Sequence, residues 1–230
     1  MDIGLAIAAQ GMLAEQVRQN ELSNDLANGS TPGYKPQLAE QRSFDSILLQ
    51  NTATGQTIGP INAGVDIART VTDTTAAPLE QTGQALDFGI AGDGYFAVRT
   101  AQGVRYTQDG RFSIDAKNQL VDANGDPVLS QSGQPITAGP GGTVKPTSLG
   151  VFNLTNVAEQ GNNLFTGTAT GRAAGVVHSG ELEQSGVDSI STMTDMIASL
   201  RAYQAGQSAI QSIDHTMQEN AQSTAAVPGG

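Results

Sequence analysis

One segment of the sequence has the residue spacing of a nucleotide-binding loop. Residues 92–97 (GDGYFA) match the pattern G-x-G-x-x-G/A of dinucleotide sites. Such a loop must open a helix, because the amide groups at the helix N-terminus bind the pyrophosphate. The residues after Gly94 are instead Tyr-Phe-Ala-Val, a pattern typical of a strand. The sequence therefore predicts a tight turn that leads into a strand, and we expect no cofactor.

A second segment resembles the start of a calcium-binding loop. Residues 122–126 read DANGD, but an EF-hand needs Gly at its sixth position and Glu at its twelfth. Pro127 and Gly133 occupy those two positions. Because Asn-Gly favours the positive φ angles of tight hairpin turns, we expect a turn here and no metal site.

The remaining candidates for catalysis lack partners at a useful spacing. His178 and His215 form no i, i+4 ligand pair, and the sequence contains no G-x-S-x-G motif. The absence of cysteine removes thiol catalysis, disulfides and zinc ribbons. Asp109 and Asp115 flank a predicted strand, where carboxylates are usually solvated turn residues. We therefore expect no enzyme activity and no catalytic, cofactor-binding or metal-binding residues.

The charge of the chain argues against nucleic-acid binding. The 230 residues include 22 acidic and 11 basic side chains, which gives a formal net charge of −11, and phosphate backbones need a positive surface. No apolar run reaches the roughly 18 residues of a membrane-spanning helix. The apolar stretch 3–9 follows Asp2, and the first basic residue is Arg18, so we expect no cleaved signal peptide.

The N-terminal end of the chain has the pattern of a helix. Residues 1–28 contain no proline, and Pro32-Gly33 is expected to end the helix. Glu15 and Gln19 interrupt its apolar face. The apolar positions of that face recur roughly every three or four residues, at Leu5, Ala8 with Ala9, Met12, Leu22 and Leu26.

A second helix is predicted over residues 187–221, which contain no proline and one internal glycine, Gly206. Two sets of positions repeat every seven residues in this stretch. The first set is Met196, Tyr203, Ile210 and Met217, and the second is Met193, Leu200, Gln207 and Asp214. Such a seam fits pairing with another helix, with its polar positions helping to choose the register. An ordinary amphipathic helix that packs on its own domain is the alternative.

The middle of the chain, about 60–180, is predicted as β structure. Short apolar runs alternate there with Gly, Asn, Asp and Pro. Their close spacing favours a meander of antiparallel strands within 91–130, so the expected fold class is α+β, with an all-β central domain flanked by two helices. The predicted strands are 95–98, 104–107, 111–114, 119–121 and 128–129.

Residues 24–35 (NDLANGSTPGYK) carry a motif of a known family. They resemble the N-terminal signature N-x-L-A-N-x-x-T-P-G-Y/F-K of bacterial flagellar rod and hook proteins. Every fixed position of that signature is present, namely Asn24, Leu26, Ala27, Asn28, Thr31, Pro32, Gly33, Tyr34 and Lys35.

Further blocks of the sequence resemble the same family in the same order. Residues 83–98, 106–121 and 180–188 are similar to family segments, although Gln108, Asn118 and Gly186 replace the usual Arg, Gly and Asn. Within the family, residues 201–204 (RAYQ) and the overall length are most similar to the distal rod protein. The C-terminal residues assigned to assembly are Met196, Leu200, Arg201, Tyr203, Gln204, Ile210 and Met217.

The resemblance implies a structural subunit of the flagellar basal-body rod. Such subunits leave the cell through the flagellar type III export apparatus without a cleaved signal peptide, and polymerise outside the cytoplasmic membrane into the hollow shaft that transmits torque to the hook. The implied partners are further copies of the chain, other rod subunits, the hook, the export apparatus, and the rod cap and outer rings, with no nucleic acid or small-molecule substrate. A proximal rod or hook-type subunit, or less favourably a secreted β-rich adhesin, is the alternative.

The resemblance also implies that the two terminal helices pair as a coiled coil in the inner layer of the tube. The predicted organisation has five parts. These are an N-terminal helix and turn (1–35), an extended linker (36–63), the central β domain (64–180), a C-terminal helix (181–221) and a flexible tail (222–230).

Overall fold

Two long helices and a central series of short strands make up the computed structural model, which describes residues 3–43, 47–50, 57–61 and 65–225. Helix α1 spans Ile3–Ala27 and helix α2 spans Ser189–Ala225. This arrangement confirms the α+β fold class. The strands are β1 (Gln37–Ser43), β2 (Ile47–Gln50), β3 (Thr57–Ile61), β4 (Val65–Thr72), β5 (Leu79–Gln81), β6 (Phe88–Ala91), β7 (Tyr95–Thr100), β8 (Gly103–Thr107), β9 (Ser113–Ile114), β10 (Leu120–Val121), β11 (Val128–Leu129), β12 (Val151–Glu159), β13 (Phe165–Arg172), β14 (Val176–Ser179) and β15 (Glu181–Glu183).

The chain divides into two compact units. The first comprises the described parts of Met1–Leu26, Leu38–Val71 and Ser189–Gly230, and the second comprises Ala27–Gln37 and Thr72–Asp188. In the first unit, β1 pairs with β4, and β2 pairs antiparallel with β3. Both units are discontinuous in sequence, so each depends on contacts between distant parts of the chain.

The second unit is built around a five-stranded sheet with the order β11-β7-β12-β13-β8. Strand β8 pairs with both β13 and β7, so the strands β7, β12, β13 and β8 form a closed ring. Closure of this kind leaves few unpaired strand edges. Three smaller antiparallel pairs, β14–β6, β15–β5 and β10–β9, complete the unit.

A single large cluster of apolar side chains forms the main core of the second unit. The rings of Phe96 and Phe112 pack edge to face with centroids 5.3 Å apart. Full burial of one such side chain contributes about 1.5–3 kcal/mol. The buried members are Phe88, Ile90, Phe96, Val98, Phe112, Leu120, Val128, Ile136, Leu149, Val151 and Ala173.

The predicted strands are present, but their pairing differs in one respect from a simple meander. Strands β7 and β8 form the expected antiparallel hairpin, and β9 pairs with β10. Strand β11 pairs with β7, through Val128 opposite Val98, and not with the preceding strand β10. The reason is burial, because Val98 and Val128 are both fully buried in the main core.

The two segments that resemble ligand loops are turns in the structure. Residues 92–94 lead into β7, and a Cβ atom at Gly94 would lie 2.4 Å from Cγ1 of Val151. The glycine therefore permits close packing of the turn on the core. In the second segment, Oδ1 of Asp122 accepts the backbone amides of Asn124 and Asp126, which closes the turn.

The described elements can be set against the predicted organisation. Residues 36–63, predicted as a linker, include β1, β2 and β3, while their residues 44–46, 51–56 and 62–63 lie outside the described residues. The residues Glu181–Glu183 form strand β15, and α2 begins only at Ser189. Helix α2 continues to Ala225, into the predicted tail, whose last residues 226–230 lie outside the described part.

Candidate functional site

The residues of the N-terminal signature form the end of α1 and the turn that follows it. Asn24, Leu26 and Ala27 belong to the last turn of the helix. Beyond it, the amide of Thr31 donates to the carbonyl of Asn28 at 2.9 Å, and the Thr31 hydroxyl donates to Oδ1 of the same residue at 3.2 Å. The signature thus provides the groups that end the helix and reverse the chain.

Gly33 has a conformation and a position that exclude a side chain. Its φ angle is +65°, in the region that favours glycine. A Cβ atom there would lie 2.4 Å from the carbonyl carbon of Gln108 and 2.7 Å from the amide nitrogen of Asp109. The carbonyl of the preceding Pro32 accepts the side-chain amide of Asn163 at 3.3 Å. The turn is therefore seated tightly on the β structure of the second unit.

Lys35 forms a buried ion pair with Glu183, 148 residues further along the chain. Its Nζ donates to Oε1 of Glu183 at 2.7 Å and to the carbonyl of Thr75 at 2.6 Å. The two side chains are 0% and 1% exposed. The amide of Ala77 donates to the same Oε1 at 2.8 Å, whereas Oε2 of Glu183 is buried and accepts no hydrogen bond among the described residues.

Two backbone hydrogen bonds flank this ion pair. The amide of Gly33 donates to the carbonyl of Glu183, and the amide of Gly186 donates to the carbonyl of Tyr34, each at 2.9 Å. We call Gly33, Tyr34, Lys35, Glu183 and Gly186 the junction site. It fastens the segment that follows α1 to the segment that precedes α2.

Tyr95 lies close enough to the junction site for the charge of Glu183 to raise the pKa of its hydroxyl. Burial, together with the negative charges of Glu183 and Asp93, raises the pKa of Tyr95 to about 12. The shift means that ionisation of the Tyr95 hydroxyl beside the Glu183 carboxylate is disfavoured even at alkaline pH.

The predicted residues on α2 belong to a helix that contacts α1 in an antiparallel sense. The Ser199 hydroxyl donates to Oε2 of Glu15 at 2.6 Å, and Ser199 is 2% exposed. A Cβ atom at Gly206 would lie 2.8 Å from Cγ of Met12, and one at Gly4 would lie 3.6 Å from Cδ1 of Ile213. As the residue number increases along α1, the number of the contacting residue on α2 decreases, so the two helices run antiparallel.

The first heptad set agrees with this contact, and the second does not. Met196, Tyr203 and Ile210 are half-buried on the side that faces α1, while Met217 is 39% exposed. All four members of the second predicted set, Met193, Leu200, Gln207 and Asp214, are exposed. The residues that face α1 are each one position earlier in the sequence, namely Thr192, Ser199, Gly206 and Ile213.

The pairing of the second set with another helix stays a prediction, because its members lie on the exposed side of α2 and do not face α1. Small residues such as Ser199 and Gly206 let the two helices approach closely, and this close approach gives them the inner positions although they are not apolar. One polar contact between the two helices is the hydrogen bond between Ser199 and Glu15, while Gln207 and Asp214 are exposed. In the sequence, this contact was indicated by Glu15, one of the polar residues that interrupt the apolar face of α1.

Four large apolar side chains are exposed along the first three turns of α2. Ile190 is 80% exposed, Met193 52%, Ile197 55% and Leu200 46%. We call these four residues the α2 outer stripe. Helix α1 has its own exposed pair, Leu13 at 61% and Val17 at 41%, which we call the α1 outer pair. Of the other predicted residues, Arg201 and Gln204 are also exposed.

The described residues contain no group of three or more His, Cys, Asp or Glu side chains that could hold a metal ion. Within the same residues, no helix has both the length and the apolar character needed to cross a membrane. The two histidines each lie 3.7 Å from a glutamate, His178 from Glu181 and His215 from Glu219. The candidate residues described in this section therefore form surfaces that pack against other side chains.

Two family models match separate parts of the chain. The model described as the flagellar hook protein FlgE/F/G D1 domain matches residues 89–162, within the second unit. The model described as the flagellar basal body rod FlgEFG protein C-terminal region matches residues 178–223, which include β15 and most of α2.

Whole-length similarity decides the family. The chain is 31% identical to the flagellar hook-basal body complex protein FlhO of Bacillus subtilis, over 95% of this chain and 97% of that protein. The chain belongs to the flagellar rod and hook protein family. It is also 31% identical to the flagellar basal-body rod protein FlgG of Agrobacterium fabrum, over 91% of this chain and 95% of that protein. For the rod protein FlgF of Rhizobium meliloti the identity is 34%, over 59% and 53%.

Family membership confirms the prediction made from the signature and agrees with the expectation of a structural protein without enzyme activity. The departures from the family pattern have physical explanations in this rod and hook family member. Asn118 replaces a glycine at a φ angle of +66°, a conformation that asparagine tolerates better than most residues. Gln108 is buried and its Nε2 donates to the carbonyl of Gly94 at 3.0 Å. Gly186 lies so close to Pro36 that a Cβ atom would be 3.0 Å from its Cδ.

Proposed function

We propose that this chain is a structural subunit of the flagellar basal-body rod and polymerises into the hollow shaft that transmits torque to the hook. Whole-length similarity to proteins named flagellar basal-body rod protein FlgG supports this function. The observation that carries the proposal is the exposed apolar surface of the helix pair, since large exposed apolar patches mark interaction sites. Its partners are then further copies of the chain, other rod subunits and the hook.

Within this function, α1 and α2 pair as a coiled coil. The proposal is supported by the antiparallel contacts of Ser199 with Glu15 and of Gly206 with Met12. The seam positions Met196, Tyr203 and Ile210 are half-buried and seven residues apart. Arg201 and Gln204 lie on the exposed side, where they are available to a neighbouring subunit.

The residues of the N-terminal signature serve assembly indirectly. In the second unit, the junction site holds together the two segments that lead to α1 and α2. The buried Lys35–Glu183 pair and the close packing of Gly33 support this role. Asn24, Leu26, Ala27, Asn28, Thr31 and Pro32 shape the end of α1 and the turn that delivers the chain to the junction site.

The subunit reaches its place through the flagellar type III export apparatus and lies outside the cytoplasmic membrane, at the distal part of the rod. Family membership supports the route. Blocking the flagellar export apparatus should keep the chain in the cytoplasm. Gold-labelled antibody on purified basal bodies should mark the distal rod, and the mass of the assembled subunit should equal that of the unprocessed chain.

Deletion of the gene tests the function itself. The deletion strain should lack complete rods in electron micrographs and should not swim, and the wild-type chain should restore both. Complete rods and normal swimming in the deletion strain would refute the proposed function.

The variants Leu200→Asp and Ile210→Asp then test the helices. Leu200→Asp places a carboxylate on the α2 outer stripe, and Ile210→Asp places one in the half-buried seam with α1, where an unpaired charge is unfavourable. Both should block rod assembly while the urea unfolding of the second unit is unchanged. Ala198→Asp is the matched control, because Ala198 is exposed on the same turn of α2 but beside the stripe. It should support swimming.

A further inference from the structure

We propose that the α2 outer stripe of one copy of this chain packs on the α1 outer pair of a second copy, in a contact that joins two different faces. The inference rests on the proposed rod function and names the surfaces through which one copy recognises the next. Each copy then contacts two neighbours, one through α2 and one through α1.

The two apolar surfaces point away from each other on the helix pair. At about 100° per residue, Ile197 lies on the far side of α2 from Ser199, which binds Glu15 of α1. By the same geometry, Leu13 and Val17 lie on the far side of α1 from Glu15. Neither surface is therefore used by the contact between α1 and α2 within the subunit.

The two surfaces also lie at the same level along the pair. Leu13 and Val17 bracket Glu15 in the sequence of α1. Ile197 and Leu200 bracket Ser199 in the sequence of α2. Because Ser199 donates directly to Glu15, the helix pair carries one apolar patch on each outer side of the same cross-section. A neighbouring pair shifted sideways brings the α2 patch of one copy against the α1 patch of the other.

Symmetry then fixes the kind of contact. A two-fold contact would bury only one of the patches, the same patch on both copies, and would leave the other in water. A contact between two different patches buries both and leaves each end of the assembly able to add another copy. Such head-to-tail contacts generate rings or open helical filaments. The arrangement of the exposed residues thus agrees with a helical polymer and not with a closed dimer.

The charges on α2 are compatible with this contact. The chain carries a net charge of −11, so contacts between copies must keep acids apart. No acid belongs to the α2 outer stripe or the α1 outer pair. The nearest acid on the stripe's part of α2 is Asp195, which is half-buried on the side that faces α1. Arg201, the arginine of α2, directly follows Leu200 at the end of the stripe.

Engineered cysteines can test the contact, because the chain contains no cysteine of its own. The double variant Val17→Cys/Ile197→Cys is produced in the host bacterium in place of the wild-type chain, cells are oxidised, and basal bodies are run on a non-reducing gel. A disulfide needs Cα atoms within about 7 Å, so two cysteines on opposite outer sides of the helix pair cannot bond within one chain. We expect a ladder of dimers, trimers and longer species that collapses on reduction.

Mixing single variants separates the two symmetries. Cells that produce Val17→Cys and Ile197→Cys as separate chains should give dimers only, since each chain can bond on one side. Dimers from Ile197→Cys alone would instead show that the stripe packs on itself and would overturn the proposal. Leu13→Cys/Gln218→Cys is the control, because Gln218 is exposed but lies about five turns beyond Leu200 on α2. A ladder as strong from this control would likewise overturn it.

Failure of this inference can be told apart from failure of the proposed function. Rods are counted by electron microscopy before oxidation, and a loss of rods in a double variant, with rods retained in Ala198→Asp, would itself support a role of these residues in assembly. If rods form but neither Val17→Cys/Ile197→Cys nor Leu13→Cys/Leu200→Cys gives a ladder, the assignment of faces is wrong while the rod function stands. If the deletion strain makes complete rods without this chain, the rod function itself is wrong.

Discussion

Removal of Lys35 should destabilise the second unit far more than removal of an exposed cation. In Lys35→Met, the Glu183 carboxylate, which is 1% exposed, keeps only the amide of Ala77 as a donor. Leaving a buried charge without its partner costs about 3–5 kcal/mol. For a domain of this size, each kcal/mol shifts the midpoint of thermal unfolding by roughly 3–6 °C, so we expect a drop on the order of 10–30 °C.

Tyrosine fluorescence during thermal unfolding, with urea unfolding as a second measurement, is a suitable assay. The chain has no tryptophan and four tyrosines, of which Tyr34, Tyr95 and Tyr106 lie in the second unit. Arg111→Met is the matched control, because Arg111 contacts Asp109 at the same distance of 2.7 Å, but its side chain is 48% exposed. Pairs of that kind contribute at most about 1 kcal/mol.

A second substitution distinguishes the ion pair from simple packing. In Lys35→Met/Glu183→Gln, the buried charge is gone and the amide oxygen of the glutamine can still accept from Ala77. The new amide nitrogen takes the place of Oε2, which already lacks a partner among the described residues. The double variant should therefore be more stable than Lys35→Met alone. The reasoning fails if Lys35→Met costs no more than Arg111→Met, or if the second substitution adds a further loss.

Three other substitutions test single contacts. Gly33→Ala should lower the free energy of unfolding by more than about 1 kcal/mol, measured by urea unfolding, since it combines a positive φ angle with a Cβ atom 2.4 Å from the backbone of Gln108. Gly206→Leu should reduce the helical circular dichroism signal of the full chain, because the new side chain would displace Met12 and separate α1 from α2; an unchanged signal and unchanged melting would contradict this contact. Asn118→Gly should leave the stability unchanged or raise it by less than about 1 kcal/mol in the same urea assay, whereas a clear loss would show that the asparagine side chain contributes more than its tolerance of φ +66°.

Local patterns in the sequence were sufficient for the two helices and for five of the strands. The helices and the strands from β7 to β11 were predicted because their periodicity and turn residues are contained within a few positions. The turn at residues 92–94 was also predicted correctly, since a strand pattern follows it. The pairing of β11 with β7 was missed, because the burial of Val98 against Val128 depends on the whole core.

The sequence identified the members of the junction site only in part. The family signature pointed to Lys35 and Gly33, and a separate block contained Glu183, but nothing in either block shows that they bond across 148 residues. A buried lysine requires a partner for its charge. That requirement predicts that a carboxylate exists nearby, while the folded structure alone decides which of the 22 acids it is.

The helix seam shows why hydrophobicity is a poor guide in a subunit built for assembly. In a monomeric protein, the apolar side of a helix faces its own core, so the apolar positions identify the inner face. In α2 the inner line carries Ser199 and Gly206, and the large apolar residues of the second heptad set lie outside. Two competing demands explain this division. Contact within the subunit needs close approach, which small residues provide, whereas the proposed contact between subunits needs apolar area, which Ile197 and Leu200 would provide. Under the proposed contact, the apolar pattern of α2 reflects packing on a neighbouring copy more than packing within its own fold.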